Sequence, residues 1–106
     1  MEASGKYQLG KDRGQARVIS FLQRIKDDPR IMPSHISLFI VLLIRRETSP
    51  AITYDTSERA SILNEAKISL TTFQRCIHDL HDFGYLQYFP SYNPKIKNKL
   101  FLYDDE

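Results

Sequence analysis

Four side chains at helical spacing carry the chemistry in this chain: Thr71, Gln74, Arg75 and His78. They offer a hydroxyl, an amide, a guanidinium and an imidazole within two turns. These groups hydrogen-bond base edges and phosphates, with Gln suited to adenine and Arg to guanine in bidentate fashion. Phe73, Ile77 and Leu80, with Cys76 beside them, fall on the opposite side of the same helix at 100° per residue. Asp82 shares the outward side but lies further along. Ser69 precedes the helix as an N-cap, and with Thr71 and Thr72 it could hold a phosphate at the helix N-terminus. The competing reading is a polar face that simply meets water. A second group follows directly: Tyr92, Asn93, Lys95, Lys97 and Lys99 gather at the tip of a proline-bounded loop, where cations can touch phosphate. Lys and Pro there could also blunt an exposed strand edge, and both roles can hold at once.

Other chemistry has weaker support. His78 and His81 stand three apart with an Asp nearby, but no further ligand sits at a metal-motif spacing, so surface histidines and no metal are expected. Cys76 lies on the apolar side of its helix and reads as a small buried residue rather than a nucleophile, which would need exposure and an orienting group. No glycine-rich phosphate loop is present. We expect neither an enzyme nor a cofactor. Six Tyr and six Phe could stack on single-stranded bases, but the alternation of aromatics with Leu in the hairpin argues that most of them face the core.

The elements that position these groups follow from local signals. Residues 1–14 are polar and hold three of the four glycines, and they read as a flexible arm. A helix is expected over 15–26, with Val18, Leu22 and Ile25 inward, Ile19 and Phe21 widening the stripe, and Arg17, Gln23 and Arg24 facing away. It ends at Asp27-Asp28-Pro29. Ser34 caps a second helix through Arg46 that is apolar nearly all round. Such a helix is either the centre of the domain or partly a contact for another chain. Ile52-Thr53-Tyr54 is a short strand. Asp55 with Glu58 forms a capping box for a helix to about Ala66, with Ile62, Leu63 and Ala66 inward. Lys67-Ile68-Ser69 is a turn, the helix over 70–83 follows, and Gly84 stops it. Strands over 85–89 and 99–103 flank the loop over 90–98.

That order of helix, turn, helix and hairpin is the plan of a winged helix-turn-helix domain, mostly α with a small β-hairpin and here with an extra N-terminal helix over 15–26. Residues 15–106 form one domain on this reading. The segment SLTTFQRCIHDLHDFGYLQYF resembles the recognition helix and first wing strand of bacterial winged-helix regulators. Ser69, Thr71, Thr72, Phe73, Arg75, Leu80, Gly84, Tyr85 and Leu86 occupy that pattern. With its FPSYNP wing the chain also resembles small winged-helix proteins of mobile elements. The resemblance covers about the last 55 residues. It departs at Gln74, where many relatives are basic, and at a turn lacking the usual glycine. It implies double-stranded DNA as partner, and transcriptional regulation or an accessory role on a mobile element. A winged helix can also be a protein–protein adaptor, so fold alone does not choose.

Bulk properties bound these expectations. The chain has 106 residues, 42% of them apolar, enough for one ordinary core. Its net charge of +2 is mild. The wing lysines and the terminal Asp104-Asp105-Glu106 cancel in the sum although they stand apart. The N-terminal cations Lys6, Lys11, Arg13, Arg17, Arg24, Lys26 and Arg30 read as solvated surface. One cysteine fits a reducing compartment. The N-terminus lacks the basic-then-apolar order of a signal peptide, and the longest apolar block, 36–44, is far short of the roughly 20 residues a span needs. A soluble, cytoplasmic protein without a membrane partner is expected. A homodimer is expected too, because one recognition helix makes few base contacts.

Overall fold

The computed structural model describes residues 12–47 and 51–103, with side chains from residue 15 onward. The 1–11 portion of the expected arm, the loop at 48–50 and the acidic end at 104–106 lie outside the described residues. Among the described residues, four helices and a three-stranded antiparallel sheet make up the fold. Helix α1 covers Asp12–Ile25, α2 Pro33–Arg46, β1 Ile52–Tyr54, α3 Thr56–Ala66, α4 Leu70–Asp82, β2 Leu86–Phe89 and β3 Asn98–Leu102. The sheet order is β1-β3-β2, so the last strand lies between the other two. Tyr88 pairs with Leu100 on one side of β3 and Ile52 pairs with Leu100 on the other.

Helix α2 is the centre. Leu38, Phe39 and Leu42 are fully buried, and the helix packs against α1, α3, α4 and β1. Its apolar circumference is thereby covered by its own chain, apart from Ile44, which is exposed. Its start differs from expectation. Met32 is the N-cap, Pro33 opens the helix, and the Met32 N–H donates to His35 Nδ1 at 2.8 Å. Proline at the first helical position loses no intrahelical bond, so Ser34 falls inside the first turn. Its hydroxyl instead accepts from the Cys76 thiol of α4 at 3.4 Å. His35 is buried. With Nδ1 accepting, the proton sits on Nε2, which donates to Asp79 Oδ2 at 2.9 Å. Both ring nitrogens are satisfied, and α2 is tied to α4.

Helix α1 begins at Asp12 rather than after residue 14, and its buried stripe is rotated from the expected one. Phe21 and Ile25 are buried with Val18 beside them, while Ile19 and Leu22 are exposed. Phe21 sets the phase because its ring stacks on Phe39 at 4.1 Å and meets Tyr85 edge-on. Rotation brings Arg17 and Arg24 toward the protein. Arg17 reaches Glu47 at 3.6 Å. Arg24 lies over the Tyr85 ring at 4.6 Å and donates to the Tyr103 carbonyl. Arg30 is also engaged: it grips Asp28 through Nε and Nη2 at 2.8 and 2.9 Å, and its guanidinium covers Phe83 at 4.2 Å. Arg17 and Arg24, read as solvated surface, are therefore half-buried clamps, whereas Arg30 stays exposed.

The remaining elements follow their local signals. Asp55 accepts from the Glu58 N–H, and Glu58 accepts from the Asp55 N–H, a complete capping box for α3. Ile62 and Ala66 are buried and Leu63 half-buried. The α3–α4 turn uses Lys67 at φ 62°, the left-handed position that glycine usually fills. Ser69 caps α4. At its far end Gly84 has φ 89°, and the Tyr85 N–H returns to the Leu80 carbonyl at 2.8 Å. That closure reverses the chain into β2 directly over α4.

Candidate functional site

Helix α4 divides its side chains cleanly. Phe73, Cys76, Ile77 and Leu80 are buried, and Thr71, Gln74, Arg75 and His78 are exposed. Phe73 holds the register by meeting Tyr54 of β1 edge-to-face at 5.7 Å. At the N-terminus, Ser69 Oγ accepts from the Thr72 N–H and donates to Thr72 Oγ1, both at 3.1 Å. These two hydroxyls therefore serve the cap first. The N–H groups of Leu70 and Thr71 precede the helical ladder and have no intrahelical partner. With the exposed Thr71 hydroxyl they form the end of the helix that can meet an anion.

Gln74 and Arg75 project from the next turn. Arg75 is exposed, and its Nη2 lies 3.5 Å from Ser34 Oγ, a long contact that leaves most of the guanidinium fork available. His78 is exposed and meets the Tyr88 ring edge-on at 5.6 Å. Tyr88 is also fixed from the other histidine, since its N–H donates to His81 Nδ1 at 3.2 Å. The two histidines thus flank one residue of β2 and dock the hairpin on α4. Among the described residues no group of three or more His, Cys, Asp or Glu is placed to hold a metal ion. Gln74, Arg75, His78 and Tyr88 line a shallow recess of about 420 Å³ between α4 and β2.

The hairpin tip is built by its own polar groups. The Lys95 N–H donates to Asn93 Oδ1 at 2.9 Å, the Asn93 N–H donates to Ser91 Oγ, and the Ser91 N–H donates to Asn98 Oδ1. Asn93 is therefore a turn former as well as a tip residue. Lys95 and Lys99 are exposed. Lys97 differs from them: its Nζ lies 3.0 Å from Glu58 Oε1, and that pairing raises its pKa. The Glu58 carboxylate is shared between the α3 cap and the hairpin loop. A phosphate approaching Lys97 would compete with it.

The facing of the hairpin aromatics departs from expectation. Leu86, Leu100 and Leu102 are buried with Tyr85, whereas Phe89, Phe101 and Tyr103 are exposed and Tyr92 is 93% exposed. Strand parity explains this, because alternate residues point to opposite faces and a one-residue step reverses the set. Phe89 shares its face with Gln87, and Phe101 with Lys99. Those polar neighbours are the sequence signal that marks the outer side. Phe89 and Phe101 meet edge-to-face at 5.7 Å. Together with Ile96, they add an apolar outer surface to the set of residues expected from the sequence.

A carboxyl and a phenol elsewhere in the fold are also perturbed. The hydrogen bonds from Arg30 hold Asp28 well below the usual carboxylate range, with the Tyr85 hydroxyl adding to them at 2.7 Å. Burial pushes the Tyr54 phenol up. Tyr54 lies buried against Phe73 of α4. No helix among the described residues is long and apolar enough to cross a membrane. Comparison of the chain with protein-family models, with characterised proteins and with solved structures finds no match.

Proposed function

We propose that this domain is a winged helix-turn-helix that binds duplex DNA, with α4 entering the major groove and the β2–β3 hairpin lying along the phosphates. The observation that carries this reading is the exposed row of Thr71, Gln74, Arg75 and His78 on one face of α4, beside a hairpin bearing Lys95 and Lys99. The order of elements supports it: a central helix, a strand, two helices joined by a tight turn, and a hairpin whose last strand inserts between the other two. Gln74 and Arg75 read bases, the N-terminal turn of α4 meets a phosphate, and the wing lysines contribute charge without sequence preference. The biological role is regulation of transcription or an accessory task on a mobile element, carried out in the cytoplasm.

Two copies act together in this proposal. The exposed apolar side chains Ile19 and Leu22 of α1, with Ile44 at the end of α2, supply the contact. Sedimentation at high concentration tests this, and a monomer only would remove the dimer.

Titration of labelled random duplex at two salt concentrations tests the main reading. Binding that weakens steeply with salt is expected, as release of counterions requires. Absence of binding at low salt would leave the second reading, a protein–protein adaptor. That alternative is favoured by the exposed Phe89, Tyr92 and Phe101 on the outer face of the hairpin.

A further inference from the structure

The outer face of the hairpin holds a cleft of about 460 Å³ whose walls include Phe89, Tyr92, Ile96 and Phe101 and whose rim includes Lys97 and Lys99. No carboxylate lines it. We propose that this cleft binds single-stranded DNA, stacking unpaired bases on its rings while Lys99, and Lys97 once it is released from Glu58, hold the adjoining phosphates.

Three observations lead to this occupant. First, the rings lie outside the core: Phe89 and Phe101 are partly exposed and pack on each other, and Tyr92 stands almost free. Leu86, Leu100 and Leu102 fill the inner side of the same strands, and Tyr92, at 93% exposure, packs on nothing that would explain its size. Second, Phe89 and Phe101 stand at 86° to one another, so ring faces stay open that an offset stack would cover. Third, aromatic faces are interleaved with cations: Lys99 sits opposite Phe89 in the β2–β3 register, two residues from Phe101. Flat apolar surface next to positive charge is complementary to a base attached to its phosphate. A paired base cannot use such a surface, because its faces are covered by its neighbours in the stack. An unpaired one can.

This site is distinct from the face of α4 and relies on the duplex reading only for the source of the strand, an unwound or tailed segment beside the bound duplex. The expected gain is about tenfold in affinity, the lower part of what one or two stacked bases supply.

The experiment compares a blunt duplex, the same duplex with an oligothymidine tail, and free oligothymidine and oligouridine, by fluorescence anisotropy. Wild-type protein, Tyr92→Ala, Phe101→Leu and Arg75→Ala are each measured, with melting curves to verify folding. Tighter binding of the tailed duplex than of the blunt one, a ratio that falls to about one in Tyr92→Ala and in Phe101→Leu, supports the proposal. So does Tyr92-dependent binding of free oligothymidine by a protein that ignores blunt duplex; that result would end the major-groove reading and keep the wing site. A tail that adds nothing overturns the proposal, as does a gain that survives Tyr92→Ala. Preference for oligouridine over oligothymidine overturns it in favour of RNA. Loss of a dimer in Phe101→Leu overturns it in favour of a second copy of the chain.

Discussion

Helix α4 sorts its residues by phase and the β2–β3 hairpin sorts them by parity, and the two rules leave different chemistry outside. On α4 every apolar residue after the first points in, and the outer face is polar: Thr71, Gln74, Arg75 and His78. On the hairpin both faces are apolar, leucine inside and phenylalanine outside, with Lys99 and Gln87 as the outer polar members. Composition therefore reveals the outer face of the helix more plainly than that of the hairpin. The two regions also differ in how committed their cations are. Arg75 has one long contact, whereas Lys97 is already paired with Glu58.

The largest effect tests what the regions share. Leu80 is fully buried where β2 folds back over α4. Leu80→Ala should lower stability by about 2–5 kcal/mol, read by denaturant unfolding. His81→Ala, which removes an exposed acceptor for the Tyr88 N–H, should cost under about 1 kcal/mol because water replaces it. Equal losses would mean that the hairpin docks through its polar contacts and not through its leucines.

The next effect divides readout from charge. Arg75→Ala should cost roughly 1–3 kcal/mol on a selected DNA site and much less on random duplex. An equal loss on both would reassign Arg75 to phosphate, and the contrast between helix and wing would disappear. Replacing Lys95 or Lys99 by Ala should weaken all sequences alike and lower the salt slope by about one. Lys97→Ala should do less, and Glu58→Gln should raise affinity by releasing Lys97. If Lys97→Ala matched Lys95→Ala, the Glu58 pair would be irrelevant in the complex.

The smallest effect concerns pH. Arg30 and Tyr85 hold Asp28 below its ordinary value of 3.8. A carboxyl with a lowered folded-state pKa contributes stability above the unfolded value, and that contribution is lost as pH falls through the window toward the folded one. The melting difference between wild type and Asp28→Asn should therefore be constant near neutrality and shrink below about pH 4. A difference that grew on acidification would contradict the lowered pKa.

The sequence was most informative where a local rule has no competitor. Ser69, Asp55 with Glu58, and Gly84 mark helix ends through bonds made within a few residues, and all three perform as expected. The facing of α4 was legible because its apolar residues repeat at a single phase. Helix α1 was not, since Leu22 and Phe21 offered two adjacent phases and only the distant Phe39 and Tyr85 rings select Phe21. The clamping by Arg17 and Arg24 is equally invisible locally, because their partners lie far along the chain. In the hairpin, Gln87 and Lys99 mark the outer face at one position of each strand, but Phe89 and Phe101 share that face and blur the signal. The tertiary fold chose the inner face, and with it set which rings remain outside.

The Cys76 thiol, sealed between α4 and the first turn of α2 and bonded to Ser34, gives the molecule a built-in clock. A thiol reagent in the solvent can reach that sulfur only when the two helices part, so the rate of its modification measures how often they do. With one sulfhydryl in the whole sequence, every modified molecule reports the same event. A ligand that held α4 in place would slow the clock, and one confined to the hairpin tip would leave it running at its own pace.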